Sequence, residues 1–278
     1  MLEPSEINVQ IAAAPFLRWS GSKARLVSIL ERSAPKTFRS YIEPFAGSAC
    51  LFFRMRPNRA TLGDINPEVI DVYTAVRDNP SEVHRYLASI PVSSDAYYIL
   101  RELDRTTLTL EQRAAQLIYL MKGCFNGVYR TNRKGRFNVP LGSRIYAIPT
   151  LQELRAASSL LHGATLISGD FQAALADVQP GDFVYLDPPY PTTTRYRGEY
   201  GYAARFDDED KRRLVAAAKQ LTERNVNVML SYVHDKEIIE ELEGWSRMYE
   251  SVRRTVAGGV KFRTDINEMI MTNYRTTS

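Results

Sequence analysis

The sequence predicts an α/β fold: a doubly wound, mostly parallel sheet with an antiparallel edge hairpin and an inserted helical segment. Three observations carry this reading. Apolar, β-branched runs ending in polar turns alternate with segments of helical spacing over most of the chain. The alternation breaks between residues 80 and 150, where helical segments follow one another directly. The chain then closes on two strand-like runs about Gly258 and Gly259. Alternating strands and helices imply parallel strands with helices on both faces, and a terminal pair of strands implies an antiparallel edge hairpin. With 278 residues the chain is long for one minimal domain and short for three. The expected division is therefore one α/β domain formed by 1–79 and 151–278, with 80–150 inserted between its strands.

The elements follow in order. Residues 39–47 read as a short strand entering a small-residue turn, and 49–56 as the start of a helix. Residues 59–77 read as strand, loop and helix, with Pro67 in the first helical turn. Residues 84–90, 95–103 and 111–123 read as the helices of the insertion, followed by a turn-rich loop over 125–142. Residues 163–175, 181–190 and 207–232 return to the alternation, and Leu214, Val215, Ala218 and Leu221 have helical spacing.

Composition excludes several classes. Hydrophobic residues make up 44% and charged residues 24%, which fits a globular protein with a core and no disordered or collagen-like chain. No apolar run approaches membrane-spanning length, and the N-terminus has an early Glu3 and no basic stretch, so no secretory signal is expected. The expected location is the cytoplasm, associated with the nucleoid. Cys50 and Cys124 are the only cysteines and there are three histidines, so neither a disulfide framework nor a zinc cluster is expected, and no metal. Net charge is only +4, but its distribution is uneven. From Gln112 to Gln152 there is no acidic residue, while Arg113, Lys122, Arg130, Arg133, Lys134, Arg136 and Arg144 are interleaved with Tyr119, Phe125, Tyr129, Phe137 and Tyr146. A charge run is usually a solvated loop. An acid-free window of this length, with aromatics, favours a surface facing nucleic-acid phosphates.

Ligands of doubly wound sheets sit at the carboxyl ends of the strands, near the point where strand order reverses. Glu43, Asp64, Asp170 and Asp187 all fall at expected strand ends. Phe45, Ala46, Gly47, Ser48 and Ala49 form a small-residue turn after the first strand, which lets a ligand approach the backbone. Alone, that turn is an ordinary strand-to-helix connection. Asp64, 17 residues later, is placed to accept hydrogen bonds from ribose hydroxyls, although an Asp there also caps helices. Several carboxylates without a glycine-rich phosphate loop suit a cationic nucleoside, and S-adenosylmethionine fits. Ser20, Gly21, Ser22 and Lys23, after Phe16-Leu17-Arg18-Trp19, are expected to open a helix whose N–H groups hold a carboxylate, with Lys23 as counter-charge, although a hydrophobic staple with a surface Lys has the same sequence.

The catalytic word is Asp187-Pro188-Pro189-Tyr190, directly after the apolar run Phe183–Leu186. A given four-residue word occurs by chance on the order of once in several hundred chains of this size. Two prolines stiffen the exit from the strand and keep Asp187 out of the helical region. The corner carries a carboxylate, a proline carbonyl and an aromatic ring, although a rigid turn with a core Tyr has the same sequence.

At this point the chain resembles the Dam-like DNA adenine-N6 methyltransferases. The resemblance rests on FLRWSGSK, YIEPFAGSA, GDIN, FNGVYRTNRKGRFNVP and YLDPPY, in that order, from Phe16 to Tyr190. It implies a seven-stranded methyltransferase sheet that binds S-adenosylmethionine and releases S-adenosylhomocysteine, with an inserted helical DNA-recognition domain over 80–150. It implies that Asp187 and the Pro188 carbonyl accept the two N6 hydrogens of an adenine flipped out of double-stranded DNA, with Pro189 stiffening the corner and Tyr190 stacking on the base. By the same resemblance Trp19, Lys23, Asp64 and Asp187 contact the methyl donor, with Glu43, Phe45, Gly47, Asp170 and Phe171 near it. Asn126, Arg130, Asn132 and Asn138 fall where the family reads or positions DNA, and Lys134, Arg136 and Arg144 are expected on phosphates. The chain has Ala49 where the family often has a second Gly, and Ser143-Arg144-Ile145-Tyr146 where its GATC readers continue with Arg-Tyr. The Tyr-rich segment after the catalytic word, 191–206, is expected to close over flipped DNA. The expected enzyme is a monomer without a membrane partner. Cytosine-N4 or RNA-adenine methylation, and a DNA-binding regulator without catalysis, are the alternative readings.

Overall fold

The computed structural model describes residues 12–144, 146–190, 206–253 and 265–276. The Gly258–Gly259 turn and all but Phe206 of the Tyr-rich segment lie outside these residues. The chain order is α1 (Val27–Ser33), β1 (Tyr41–Glu43), α2 (Cys50–Met55), β2 (Ala60–Asp64), α3 (Pro67–Asp78), α4 (Pro80–Ser89), α5 (Ser94–Glu102), α6 (Leu110–Gly123) and α7 (Leu151–Leu161). It continues with β3 (Ala164–Ser168), α8 (Phe171–Leu175), β4 (Phe183–Leu186), α9 (Asp208–Glu223), β5 (Asn227–Val233), α10 (Lys236–Glu241), β6 (Ser246–Arg253) and β7 (Asp265–Thr272).

The strands form one seven-stranded sheet in the order β3-β2-β1-β4-β5-β7-β6. The pairings from β3 through β5 are parallel, while β7 runs antiparallel between β5 and β6. The expected hairpin is thus present, with β6 as the edge. Strand order reverses at β1, which has β2 on one side and β4 on the other. This reversal opens a crevice above the carboxyl ends of β1 and β4.

The central strands are buried on both faces, and their side chains alternate. Phe183 and Tyr185 enter one hydrophobic cluster, Val184 and Leu186 the other. Period-two alternation into two apolar layers explains why β4 reads as a continuous apolar run. The first cluster also holds Tyr97 of α5 and Leu117, Ile118, Leu120 and Met121 of α6. The inserted helices therefore share a core with the sheet, through α3 and α7.

Helix starts follow local chemistry. Asn66 caps α3 by accepting from Glu68 N, with Pro67 at its start, so Asp64 is not the cap. Thr109 with Gln112 and Thr150 with Glu153 form capping boxes on α6 and α7. Asp235 caps α10 and the His234 ring lies 5.8 Å from Tyr249, in keeping with a structural role for that pair. One expectation fails: Ser20–Lys23 does not open a helix. Gly21 takes φ 82°, the segment forms turns, and α1 starts at Val27. A left-handed residue breaks the helical path there, and Lys23 is drawn inward by carboxylates described below.

Gly63 of β2 has no room for a side chain: an added Cβ would lie 2.8 Å from Ala174 Cβ and 3.3 Å from Pro44 Cα. Gly63→Ala is expected to destabilise the fold by about 1–3 kcal/mol through overpacking. Urea unfolding should show a lower midpoint at unchanged slope; an unchanged midpoint contradicts this packing.

Candidate active site

Three features define the crevice, completed by side chains from the loop before α1, β2, α8 and β7. The first is the turn after β1. Gly47 (φ 47°) donates its N–H to Asp64 Oδ2 at 2.9 Å, and Asn66 N donates to Asp64 Oδ1 at 2.8 Å. Tyr73 Oη donates to the Gly47 carbonyl at 2.6 Å. Each Asp64 oxygen keeps a further lone pair, so the carboxylate is fixed in place and still able to accept ribose hydroxyls. A Cβ on Gly47 would come within 3.0 Å of Trp19 Cδ1, so Trp19 lies directly over this turn. Beside it, Phe45 stacks on Phe171 with centroids 5.4 Å apart, and Phe206 meets Phe45 edge-on. Asp170 caps α8 and pairs with Arg213 at 2.7 Å.

The second feature is the Asp187–Tyr190 corner at the end of β4. Lys23 Nζ lies 2.5 Å from Asp187 Oδ1 and 3.1 Å from Glu268 Oε1. The same ammonium sits 4.8 Å from the Tyr190 ring centroid. Tyr190 Oη donates to Glu268, and the Tyr190 ring meets Tyr232 edge-on at 5.4 Å. Lys23 and Glu268 are buried, and Asp187 is half-buried at 16% exposure, so one of the paired carboxylates reaches the crevice. Losing one member of a buried pair leaves an uncompensated charge, which costs about 3–5 kcal/mol.

The electrostatics follow from burial. Desolvation pushes Glu43 up to about 8, against the hydrogen bond from Tyr41 Oη at 2.8 Å, and Asp187 raises it further. Desolvation pushes Asp64 up to about 6, against its two backbone donors. Burial works to lower the Lys23 pKa, but Asp187, Tyr190 and Glu268 together raise it, so the ammonium stays charged. Lys23 pairs with Asp187 and Glu268, and Glu43 in turn feels the charges of Asp187 and Asp64, so four carboxyl groups gather about one ammonium-bearing corner. Such a donor set suits a ligand that brings its own positive charge, as S-adenosylmethionine does.

The third feature is the basic loop, which is an ordered ribbon. Thr131 bridges Phe137, and Asn138 N donates to the Arg130 carbonyl at 3.0 Å. Asn132 Oδ1 accepts from Lys134 N and Arg136 N, which shapes the turn. Arg130 Nε donates to Asn138 Oδ1 at 2.7 Å. Asn132, Asn138 and Arg130 thus hold the ribbon together, while Asn126, Arg133, Lys134, Arg136 and Arg144 are exposed. Tyr129 stacks on Trp19 with centroids 5.1 Å apart, joining the ribbon to the turn after β1. Arg18 donates to the Lys122 and Cys124 carbonyls and fixes the root of the ribbon.

The structure brings Trp19, Lys23, Glu43, Phe45, Gly47, Asp64, Phe171, Asp187 and Tyr190 to the carboxyl-end side of the sheet. Sequence reading missed Glu268, Ser231, Tyr232 and Arg18. For Glu268 a signal exists: it is an acid on the same face of β7 as buried Ile270, with Met269 and Met271 on the other face. An inward charge in an apolar strand asks for a partner.

Comparison with known proteins bears on the chemistry. The family model of the D12 class N6 adenine-specific DNA methyltransferases matches residues 19–256. The type II methyltransferase M1.LlaDCHI of Lactococcus lactis subsp. cremoris is 33% identical over 99% of this chain and 99% of its own. The type II methyltransferase M.MjaIII of Methanocaldococcus jannaschii is 30% identical over 94% and 99%. A DNA adenine methylase of Escherichia coli K12 is 27% identical over 92% and 93%.

The raised Glu43 pKa gives a testable pH dependence. The folded protein keeps this proton up to about pH 8, whereas the unfolded chain releases it near 4.5. In that window the folded state binds more protons, so stability falls as pH rises. Glu43→Gln should flatten the fall by about 1 kcal/mol per pH unit, read from urea unfolding across that range. An identical slope in wild type and variant contradicts a buried, protonated Glu43.

Proposed function

The chain belongs to the D12 class N6 adenine-specific DNA methyltransferases, and from that premise we propose that its Asp187–Tyr190 corner receives an adenine extruded from double-stranded DNA. The observation that carries this assignment is the placement of Asp187 at the carboxyl end of β4, beside the β1 turn, with its charge held by Lys23. DNA adenine-N6 methylation, with S-adenosylmethionine as methyl donor, is the family's reaction.

The adenine amine is a poor nucleophile because its lone pair is delocalised into the ring. Asp187 and the Pro188 carbonyl accept hydrogen bonds from its two protons, which orients the amine and raises electron density on nitrogen. The gain comes from positioning and preorganised charge. Tyr190 stacks on the base, and Pro189 keeps the corner rigid. S-Adenosylmethionine, when bound, supplies a methyl group activated by its sulfonium and leaves as S-adenosylhomocysteine. Asp187 keeps its hydrogen bond to the amine until the surplus N6 proton passes to water. Because the leaving sulfur already carries positive charge, no metal is needed.

For the donor we assign Asp64 to the ribose hydroxyls, Phe45 and Phe171 to the purine face, and Trp19 and Gly47 to the wall of the turn. Glu43 and Asp187 face the cationic end, and Lys23, whose N–H groups stay on Asp187, Glu268 and the Gly21 carbonyl, balances the donor carboxylate by its charge alone. Asp170 contributes by capping α8 beneath Phe171. On the DNA side, Lys134, Arg136 and Arg144 contact phosphates, and Asn126 faces the bases; Arg130, Asn132 and Asn138 shape the ribbon that presents them. Flipping the base costs a few kcal/mol, offset by these contacts. Residues 80–150 are the recognition unit. No helix among the described residues is long and apolar enough to cross a membrane; we propose a monomer acting on DNA in the cytoplasm.

Asp187→Ala should lower methyl transfer to a duplex by at least about a hundredfold while duplex affinity stays within severalfold. Nucleoside mass analysis of the wild-type product should give N6-methyladenine; N4-methylcytosine as sole product contradicts the reading. Duplex binding should weaken steeply with salt, and Lys134→Ala with Arg136→Ala should each reduce the logarithmic salt slope by about 1. An unaltered slope places the phosphate contacts elsewhere.

A further inference from the structure

Glu268 belongs to no motif that marks the donor or the target base, yet it touches both sides of the catalytic corner. It lies on β7, is 2% exposed, and pairs in register with Val233 of β5. Its Oε1 accepts from Ser231 Oγ at 3.2 Å and from Tyr190 Oη, and lies 3.1 Å from Lys23 Nζ. An ammonium has three protons to donate. Those of Lys23 have three acceptors: Asp187 Oδ1 at 2.5 Å, Glu268 Oε1 at 3.1 Å and the Gly21 carbonyl at 3.3 Å.

We infer that Glu268 is a positioning residue for methyl transfer, fixing the Tyr190 ring through its hydroxyl and sharing the Lys23 ammonium with Asp187. The inference rests on the assignment of Asp187 and Tyr190 proposed above. Two consequences follow from charge and geometry. With Glu268 present, Lys23 is divided between two carboxylates, and Asp187 keeps acceptor strength for the amine. Without that charge, the ammonium turns wholly to Asp187 and competes with the base. In addition, a Tyr ring held only by van der Waals contact rotates about its side-chain bonds. The hydrogen bond to a buried strand residue limits that rotation and holds the stacking face at a fixed angle to the Asp187 carboxylate. The perpendicular Tyr232 ring supports the same orientation from β5.

The test is a cycle of Glu268→Gln, Tyr190→Phe and the double variant in the full-length enzyme. Steady-state methylation of a duplex is measured with S-adenosylmethionine over a range of duplex concentrations, and thermal unfolding is run in parallel. Glu268→Gln and Tyr190→Phe should each lower kcat about tenfold or more at little-changed KM for DNA. The double variant should be no slower than the slower single, because both changes break one contact. Multiplying losses, or an unchanged kcat in Glu268→Gln, overturn the inference. If Glu268→Gln does not fold, Tyr190→Phe decides alone: a kcat loss of that size supports the inference, and wild-type kcat overturns it. Asp187→Ala in the same assay separates the two levels. If that variant remains active, the assignment of the corner itself fails; if it is dead while Glu268→Gln is normal, only the role of Glu268 fails.

Discussion

The Lys23 ammonium is the point on which the site depends. It joins three segments far apart in sequence: the loop before α1, the end of β4 and the inner face of β7. A single buried cation between Asp187 and Glu268 fixes the carboxylate, and through Glu268 the aromatic ring, of one corner. Replacing it by an apolar side chain would leave two carboxylates without compensation in a poorly solvated place.

The sheet makes that junction possible. Strand order reverses at β1, so the turn after β1 and the corner after β4 face each other with no strand between them. The antiparallel β7 then brings an acid to the same level from the opposite chain direction. The outcome is a crevice with more carboxyl groups than cations. Glu43 holds its proton there because burial penalises its charged form and Asp187 and Asp64 add like charge. On the proposed assignment, a donor carrying sulfonium and ammonium charges would change that balance, which would link binding to protonation at Glu43 and Asp64. The Trp19–Tyr129 stack ties the ribbon to the same turn.

Much of this was legible from the residues. The alternation of apolar runs and helical spacings marked the parallel strands, and the consecutive helical patterns between residues 84 and 123 correspond to α4, α5 and α6. Asp64 and Asp187 were found because a strand end followed by a turn is a local signal. What depended on distant partners was not legible. Lys23 was expected at a helix start, because nothing nearby in sequence reveals the carboxylates that pull it inward. Glu268 is one letter in an apolar strand, and its meaning comes from Tyr190, 78 residues earlier. Asn132 and Asn138 were expected where DNA is read or positioned; the ribbon also uses their side-chain oxygens for its own turn and cross-strand contacts, which the sequence does not reveal.

The most direct measurement is a crystal structure of the protein with a duplex containing its target site and a non-reactive methyl-donor analogue. The account predicts an extruded adenine whose N6 lies within about 3.2 Å of an Asp187 oxygen and of the Pro188 carbonyl oxygen. Its ring should lie against Tyr190, with Tyr190 Oη still on Glu268. An adenine left stacked in the duplex, or one bound away from Asp187 with the donor site filled, contradicts it.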